Sequence, residues 1–264
     1  MILDRFRLDG KVAVVSAAGR GLGAAIARAF AEVGGRVVIG ARTREQLDGV
    51  AADIEKAGSQ AVIVEGDLST REGMAALVEA ARDTWGRIDV VVNNAGGSMP
   101  KPFPETSEED FEEGLRWNVT SAFNLSQLAL PHLVASGAGS LINIASAAGR
   151  NPARGFAGYG TAKAALIQFT RNLALELAPR VRVNAIAPGA IATTALDTVL
   201  TQEALKRQMI ELTPLRRIGR EQDIAAGAVY LASEASSYVT GRVLDIDGGI
   251  RHSNIEMGIP DLEG

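Results

Sequence analysis

Lys11-Val12-Ala13-Val14-Val15-Ser16-Ala17-Ala18-Gly19-Arg20-Gly21-Leu22-Gly23, running directly into Ala24-Ala25-Ile26-Ala27-Arg28-Ala29-Phe30-Ala31-Glu32, is the stretch from which the fold is read. Val12 to Val15 is a short, uninterrupted apolar run, the pattern of a strand covered on both faces. Glycines follow it, and the segment after them has helix-forming composition and an apolar stripe. Strand, glycine turn and helix start together aim backbone N–H groups and the positive end of a helix dipole at one point, which suits a phosphate. The spacing departs from the common G-x-G-x-x-G fingerprint. It fits a wider form in which Gly21 and Gly23 hold their places and Ala17 stands where that form has its first glycine. Taken alone, the loop reads equally as an ordinary glycine-rich connection.

Working outward, the same unit recurs. Val37-Val38-Ile39 is followed by a helix over about 45–57, and Ala61-Val62-Ile63-Val64 by Asp67-Leu68-Ser69 and a helix over 71–85. Asp89-Val90-Val91-Val92 ends in Asn93-Asn94-Ala95-Gly96-Gly97, whose small residues suit close backbone approach by a flat ring. Thr106-Ser107-Glu108-Glu109 reads as a capping box ahead of a long helix, 109–134, that contains Asn118. The run Leu141 to Ala145 ends at Ser146, and a helix over 159–178 halts at Pro179. Val181 to Ala187 and Val243 to Ile246 complete about seven strands separated by helices. This repetition predicts an α/β, Rossmann-type, doubly wound parallel sheet with helices on both faces. We expect one domain over 1–264: a cofactor half over about 8–100, a catalytic and substrate half over about 101–250, and a tail over 251–264. Ligands are expected beyond the carboxyl ends of the strands, at the topological switch point.

Composition narrows the function. The 264 residues carry 27 basic and 31 acidic side chains and no basic cluster, which argues against a nucleic-acid partner. There is no cysteine, and His132 and His252 have no ligand partner in sequence, so no metal site is expected. Asp245 and Asp247, alone on one face of a strand, read as structural rather than as metal ligands. The charged start lacks a secretory pattern and no apolar run approaches a membrane span, so a cytoplasmic protein without membrane contact is expected. No G-x-S-x-G elbow, Walker lysine or H-E-x-x-H occurs, which removes support for hydrolase and phosphotransferase readings.

The end of the second strand bears on the cofactor. A site that prefers NAD usually carries Asp or Glu there for the ribose hydroxyls. Here stand Gly40-Ala41-Arg42-Thr43-Arg44. Arg42, with Arg20 from the glycine turn, is suited to pair a 2′-phosphate in the forked geometry of guanidinium, so NADP(H) is expected over NAD. The competing reading leaves both arginines solvated. Tyr159 and Lys163 are four apart on a helix and so share a face. A phenol is a poor base at neutral pH unless a nearby cation favours the phenolate, and Lys163 is placed to be that cation. Ser146 offers a hydroxyl just upstream.

With these residues assembled, the chain resembles the short-chain dehydrogenase/reductase family over essentially its whole length. The likeness is carried by Ser16-Ala17 through Gly21-Leu22-Gly23, Asp67, Asn93 to Gly96, Asn118, Ser146, Tyr159 with Lys163, and Pro188-Gly189 followed by Thr193. It implies that Tyr159 is the general acid/base and that Ser146 holds the substrate oxygen. It further implies that Lys163 binds the nicotinamide ribose and that Asn118 holds a relay water. Asp67, with Leu68, would contact the adenine edge. Asn94 and Gly96, with Ala95, would flank the adenine ribose, and Ile191 and Thr193 would meet the nicotinamide end. Two departures stand out: Ser16-Ala17 replaces the usual Thr-Gly, and the turn from Pro179 to Asn184 is a residue short. Ala17 places a methyl where the backbone is expected to need positive φ, at a cost of about 1 kcal/mol.

Asn93 to Gly97 with Pro100 to Phe103, Asn124 to Leu128, and Ala187 to Ile191 with Thr194 to Leu196 are similar to bacterial 7α-hydroxysteroid dehydrogenases, which implies a hydroxysteroid substrate; segments 97–103, 147–156 and 194–215 are expected to line the pocket. The alternative is a 3-oxoacyl-thioester reductase of the same family, for which Arg150 and Arg154 would meet an acidic phosphopantetheine. The region 194–215 reads as a lid with an apolar face of Leu196, Val199, Leu200, Leu205 and Met209. The rival from another class is a non-catalytic NADP-binding sensor or scaffold on the same fold. Helices 109–134 and 159–178 carry more than one apolar stripe, which suggests a helix-paired oligomer, and the resemblance implies a homotetramer.

Overall fold

The computed structural model describes residues 1–194, 196, 200–254, 258–259 and 261–262. Strands β1 (Val12–Val15), β2 (Arg36–Ala41), β3 (Ala61–Glu65), β4 (Val90–Asn93), β5 (Gly139–Ile144), β6 (Val181–Pro188) and β7 (Val243–Ile246) form one parallel sheet in the order β3-β2-β1-β4-β5-β6-β7. Helices α1 (Gly21–Glu32), α2 (Arg44–Lys56) and α8 (Glu221–Ala232) cover one face, and α3 (Arg71–Trp85), α5 (Ser121–Ala135) and α6 (Ala157–Leu177) the other. Covering both faces is why the strands read as continuous apolar runs: Ala13, Val15, Val90, Val92 and Ile142 enter the first core, while Val12, Val14, Val91 and Leu141 enter the second. The chain winds outward from β1 to β3, then returns to lay β4 against β1 with Val15 beside Val92. The crevice between the ends of β1 and β4 is the expected switch point.

Two local expectations are corrected. The long helix over 109–134 is divided into α4 (Glu108–Leu115), a wide π turn over Arg116–Thr120, and α5. Asn118 sits within that turn, its Nδ2 donating to the Gly114 carbonyl at 2.9 Å. The extra residue per turn re-aims the side chain, a distortion that apolar periodicity does not register. The capping box lies one residue later than expected. Ser107 accepts from the Asp110 N–H at 3.1 Å, and Asp110 accepts from the Ser107 N–H at 2.9 Å. Thr106 instead donates its hydroxyl to the Pro102 carbonyl at 3.0 Å.

Within the expected lid, α7 (Glu203–Leu212) buries Met209 and half-buries Leu205. Val199 lies outside the described residues. Among the described residues no helix is long and apolar enough to cross a membrane.

Candidate active site

The ends of β1 and β4 are sewn together by Ser16 and Asn94. The Ser16 hydroxyl donates to the Val92 carbonyl and accepts from the N–H groups of Asn94 and Ala95 at 3.0 and 3.1 Å. The Asn94 amide donates to the carbonyls of Ser16 and Ala17 at 3.1 and 3.0 Å. Ser16 is therefore spent on holding the crevice open at a fixed width. A Cβ on Gly23 would lie 2.5 Å from the Ala17 carbonyl oxygen and 2.5 Å from the Asn94 amide, so only glycine lets the first turn of α1 come this close. Gly21, at φ 59°, makes the turn into the helix, and Ala17 adopts the left-handed region at φ 51° despite its methyl. The helix start thereby opens onto a cleft of about 990 Å³, with Gly19, Arg20, Gly21 and Leu22 on its wall.

At one end of the cleft stand Arg42, Thr43 and Gln46, across from Arg20 and beside Leu68. Arg44 is tied to Asp48 at 2.8 Å, whereas neither Arg20 nor Arg42 makes an ion pair among the described residues. The Asp67 carboxyl is held below its ordinary value first by the Ser69 N–H and hydroxyl, with the Arg42 charge adding to this. Arg42 and Asp67 thus sense one another at this end.

At the other end Ser146, Tyr159 and Lys163 converge, from the end of β5 and from α6. Tyr159 stands near Ser146, and its ring packs on Phe156 at 5.8 Å between centroids. Burial raises the phenol above its ordinary value, an effect that the nearby Ser146 hydroxyl opposes. Lys163 is 3% exposed, with Nζ 5.7 Å from the centre of the Tyr159 ring and donating to the Ile144 carbonyl at 2.8 Å. Burial without a carboxylate partner pushes this ammonium down to about 7. The cation expected to favour the phenolate is thus only partly charged at neutral pH. Asn118 closes the group: its Oδ1 accepts from the Gly97 N–H at 2.8 Å and its Nδ2 donates to the Gly97 carbonyl at 3.1 Å. A Cβ on Gly96 would meet Asn118 Oδ1 at 2.6 Å and Lys163 Nζ at 2.8 Å.

The β6 end supplies Pro188, Gly189, Ile191 and Thr193 to the same cleft, Ile191 being bridged to Gly219. Of the residues singled out in the sequence, Ser16, Gly23, Ala95 and Asn118 are buried behind its walls, and Asp67 stands exposed near the Arg42 end. Met99, Asn151 and Phe156, in the segments expected to line the pocket, stand on the wall, as does Trp117, for which the sequence gives no sign. Met99, Trp117 and Phe156 make this end apolar, and Asn151 Nδ2 has no hydrogen-bond partner among the described residues. Ser253 and Asn254, in a tail without periodicity, line the cleft too, and Asn254 donates to Thr213 Oγ1 at 3.0 Å. Arg150 is ion-paired with Asp245 and Asp247, and Arg154 with Asp261.

The cradle fits a dinucleotide: its glycines admit backbone contact with a pyrophosphate, its volume suffices, and polar groups stand at both ends. Among the described residues no cluster of His, Cys, Asp or Glu could hold a metal.

Comparison with known proteins gives the chain its family. A family model described as enoyl-(acyl carrier protein) reductase matches residues 16–251. An uncharacterised oxidoreductase of Mycobacterium tuberculosis is 52% identical over 263 residues, 99% of this chain and 100% of that protein. The 7α-hydroxysteroid dehydrogenase of Escherichia coli K12 is 40% identical over 247 residues, 93% of this chain and 96% of that enzyme. A solved 7α-hydroxysteroid dehydrogenase complexed with NADH and 7-oxo glycochenodeoxycholic acid superposes with a TM-score of 0.91 at 39% identity, covering 95% of this chain and 98% of the other. The chain therefore belongs to the short-chain dehydrogenase/reductase family of oxidoreductases, which interconvert alcohols and ketones with a nicotinamide nucleotide.

Proposed function

We propose that the protein interconverts a hydrophobic secondary alcohol, of the hydroxysteroid class, and its ketone, with NADP(H) as cofactor. One observation carries this reading: Ser146, Tyr159 and Lys163 gathered on one cleft, with Lys163 Nζ 5.7 Å from the centre of the Tyr159 ring, at the apolar end of a dinucleotide cradle. When bound, the nicotinamide supplies or receives the hydride. Ser146 holds the substrate oxygen and steadies its developing charge. Tyr159 gives its proton to that oxygen in reduction and takes one back in oxidation. Because burial keeps the phenol protonated, the site rests as an acid. Lys163 passes the proton onward from beneath the ring. Asn118 brings its Oδ1 to the same side of Gly96, where a relay water would be held.

The substrate class rests on the apolar wall and on the likeness to hydroxysteroid dehydrogenases. A thioester carried on acidic phosphopantetheine is less favoured, because Arg150 and Arg154 are both neutralised by aspartates. The NADP(H) preference rests on Arg42 and Arg20, which make no ion pair among the described residues, and on the lack of an Asp or Glu in the sequence at the end of β2. Exposed Phe123 and Leu175, on α5 and α6, support a helix-paired homotetramer, which light scattering would check.

The test is nicotinamide absorbance with NADP⁺ and 7α-hydroxysteroids set against other hydroxysteroids, and with NADPH and acetoacetyl thioesters in reverse. Selective turnover of the 7α-alcohol is expected. Tyr159→Phe should lose at least ~10²-fold in turnover while still binding NADPH, since acid/base catalysis is worth ~10²–10⁴. A variant that keeps most of its turnover overturns the assignment, and NADPH binding with no turnover of any carbonyl would favour a sensor.

A further inference from the structure

Ser146 opens a short 3-10 turn, Ala147–Gly149, that is wedged against α6. A Cβ on Gly149 would lie 2.7 Å from the Lys163 carbonyl carbon, and one on Gly160 would lie 3.0 Å from the Ala148 carbonyl oxygen. Turn and helix are therefore one rigid piece, with Ser146, Tyr159 and Lys163 all on it. Arg150 leaves this turn and crosses to the end of β7. There its Nη1 pairs with Asp245, and its Nη2 reaches Asp247 Oδ2 at 3.4 Å. Asp247 is not a loose surface group: its side chain is 7% exposed, and its Oδ1 accepts from the Gly249 N–H at 2.8 Å. Its backbone lies directly against the β6 end, where a Cβ on Gly189 would sit 2.7 Å from Asp247 Cα. Pro188, Gly189 and Ile191 at the β6 end line the same cleft, where on the proposed reading the nicotinamide half of the cofactor would lie.

We infer that Arg150 is a positioning residue: through Asp247 and Asp245 it fixes the piece that carries Ser146, Tyr159 and Lys163 at a set distance from the Gly189 segment against which the nicotinamide is held. This rests on the reading of Ser146 and Tyr159 as the groups that handle the substrate oxygen. Hydride transfer depends steeply on the spacing between substrate carbon and nicotinamide, and misplacement by about 1 Å can cost ~10²-fold in rate. Two contacts bridge the two halves of the reacting geometry, guanidinium to carboxylates and the Asp247 backbone against Gly189, while the Gly249 N–H holds the Asp247 carboxylate in place. Neither Arg150 nor the aspartates need touch substrate or cofactor. Loss of Arg150 removes the charge link between the turn and the strand end and leaves the Asp245 and Asp247 carboxylates without their cation.

The experiment compares Arg150→Met, Arg150→Lys, Asp247→Asn and the Arg150→Met/Asp247→Asn double variant with the parent protein. For each, NADPH affinity, polarisation of the bound nicotinamide's fluorescence, and kcat and KM for the best alcohol are measured. Arg150→Met is expected to leave NADPH affinity and KM within about twofold while lowering kcat by about ten- to a hundredfold. It should also lower the polarisation, because the nicotinamide half is held less firmly. Arg150→Lys should recover part of both losses. Asp247→Asn, which keeps shape and removes one charge, should fall between, and the double variant should lose less than the two single losses combined. A folded Arg150→Met protein that keeps its kcat and its polarisation overturns the inference, as does a loss confined to NADPH affinity. If the parent turns over no substrate, the catalytic reading fails separately. Polarisation then decides: unchanged in Arg150→Met it refutes the clamp, lowered and recovered in Arg150→Lys it supports it.

Discussion

Replacing Lys163 with methionine should stabilise the protein at low pH while abolishing its chemistry, and the size of the effect can be worked from the site. Lys163 is 3% exposed, among the described residues bonds only the Ile144 carbonyl, and has its ammonium pushed from the ordinary 10.5 down to about 7 by burial. The unfolded chain therefore binds more protons at this position than the folded chain between about pH 7 and 10.5, and stability contributed here rises with pH across that window. Below about pH 7 both states carry the proton and the full penalty of burying the charge remains. From about pH 6.5 to 9 the parent should thus gain on the order of 2–3 kcal/mol relative to Lys163→Met, with the burial cost at pH 6.5 on the order of 4 kcal/mol. Against this, methionine leaves the Ile144 carbonyl without its donor, a cost of about 1–3 kcal/mol that does not vary with pH. The pH dependence of the difference is therefore the diagnostic quantity. Urea unfolding of cofactor-free parent and variant, at matched protein concentration and several pH values, reads it directly. A difference that is flat with pH, or one that grows in the variant's favour as pH rises, would refute the picture of a desolvated, unpaired ammonium.

Three other outcomes are expected. Arg42→Asp should move cofactor preference toward NADH by more than about tenfold, since a charge-assisted hydrogen bond contributes ~1.5–3 kcal/mol; an unchanged NADPH-to-NADH ratio of kcat/KM removes Arg42 from the site. Ala17→Gly relieves a left-handed alanine worth about 1–2 kcal/mol against about 0.4–1 kcal/mol of added freedom in the unfolded chain, a net gain near 0.5 kcal/mol or about 1–2 °C in Tm. A fall in Tm would show that packing of the methyl outweighs the backbone strain. Gly96→Ala places a methyl 2.6 Å from Asn118 Oδ1 and 2.8 Å from Lys163 Nζ, so NADPH titration should show a large loss of affinity, and retained binding would contradict the packing described.

The fold was legible because its determinants are local and repeated. Apolar runs such as Val12 to Val15 and Val90 to Val92 must be buried on both faces, and the glycine turn at Gly21 and Gly23 can be followed only by a helix packed close to its strand. Residues of the site that lie on such elements, Ser146 at a strand end and Tyr159 with Lys163 on one helix face, were legible for the same reason. The π turn at Asn118 was not, because one extra residue in a helix leaves the apolar pattern almost intact. Nor was the one-residue displacement of the capping box, since Thr106-Ser107 and Glu109-Asp110 offer two registers of the same chemistry.

What the sequence alone determined, then, was the alternation of strand and helix, the sheet's parallel direction, and the side of the sheet on which polar groups gather. Tertiary structure alone decided which groups meet there and in what electrical state. Ser16, which in the sequence only carries the family likeness, joins β1 to β4, and Arg150, which the thioester alternative would set against a phosphopantetheine, is held by two aspartates about 95 residues away. Lys163 could be placed one turn from Tyr159 by counting, but its titration depends on burial by neighbours from β5 and the 96–97 loop, and burial is a property of packing in three dimensions.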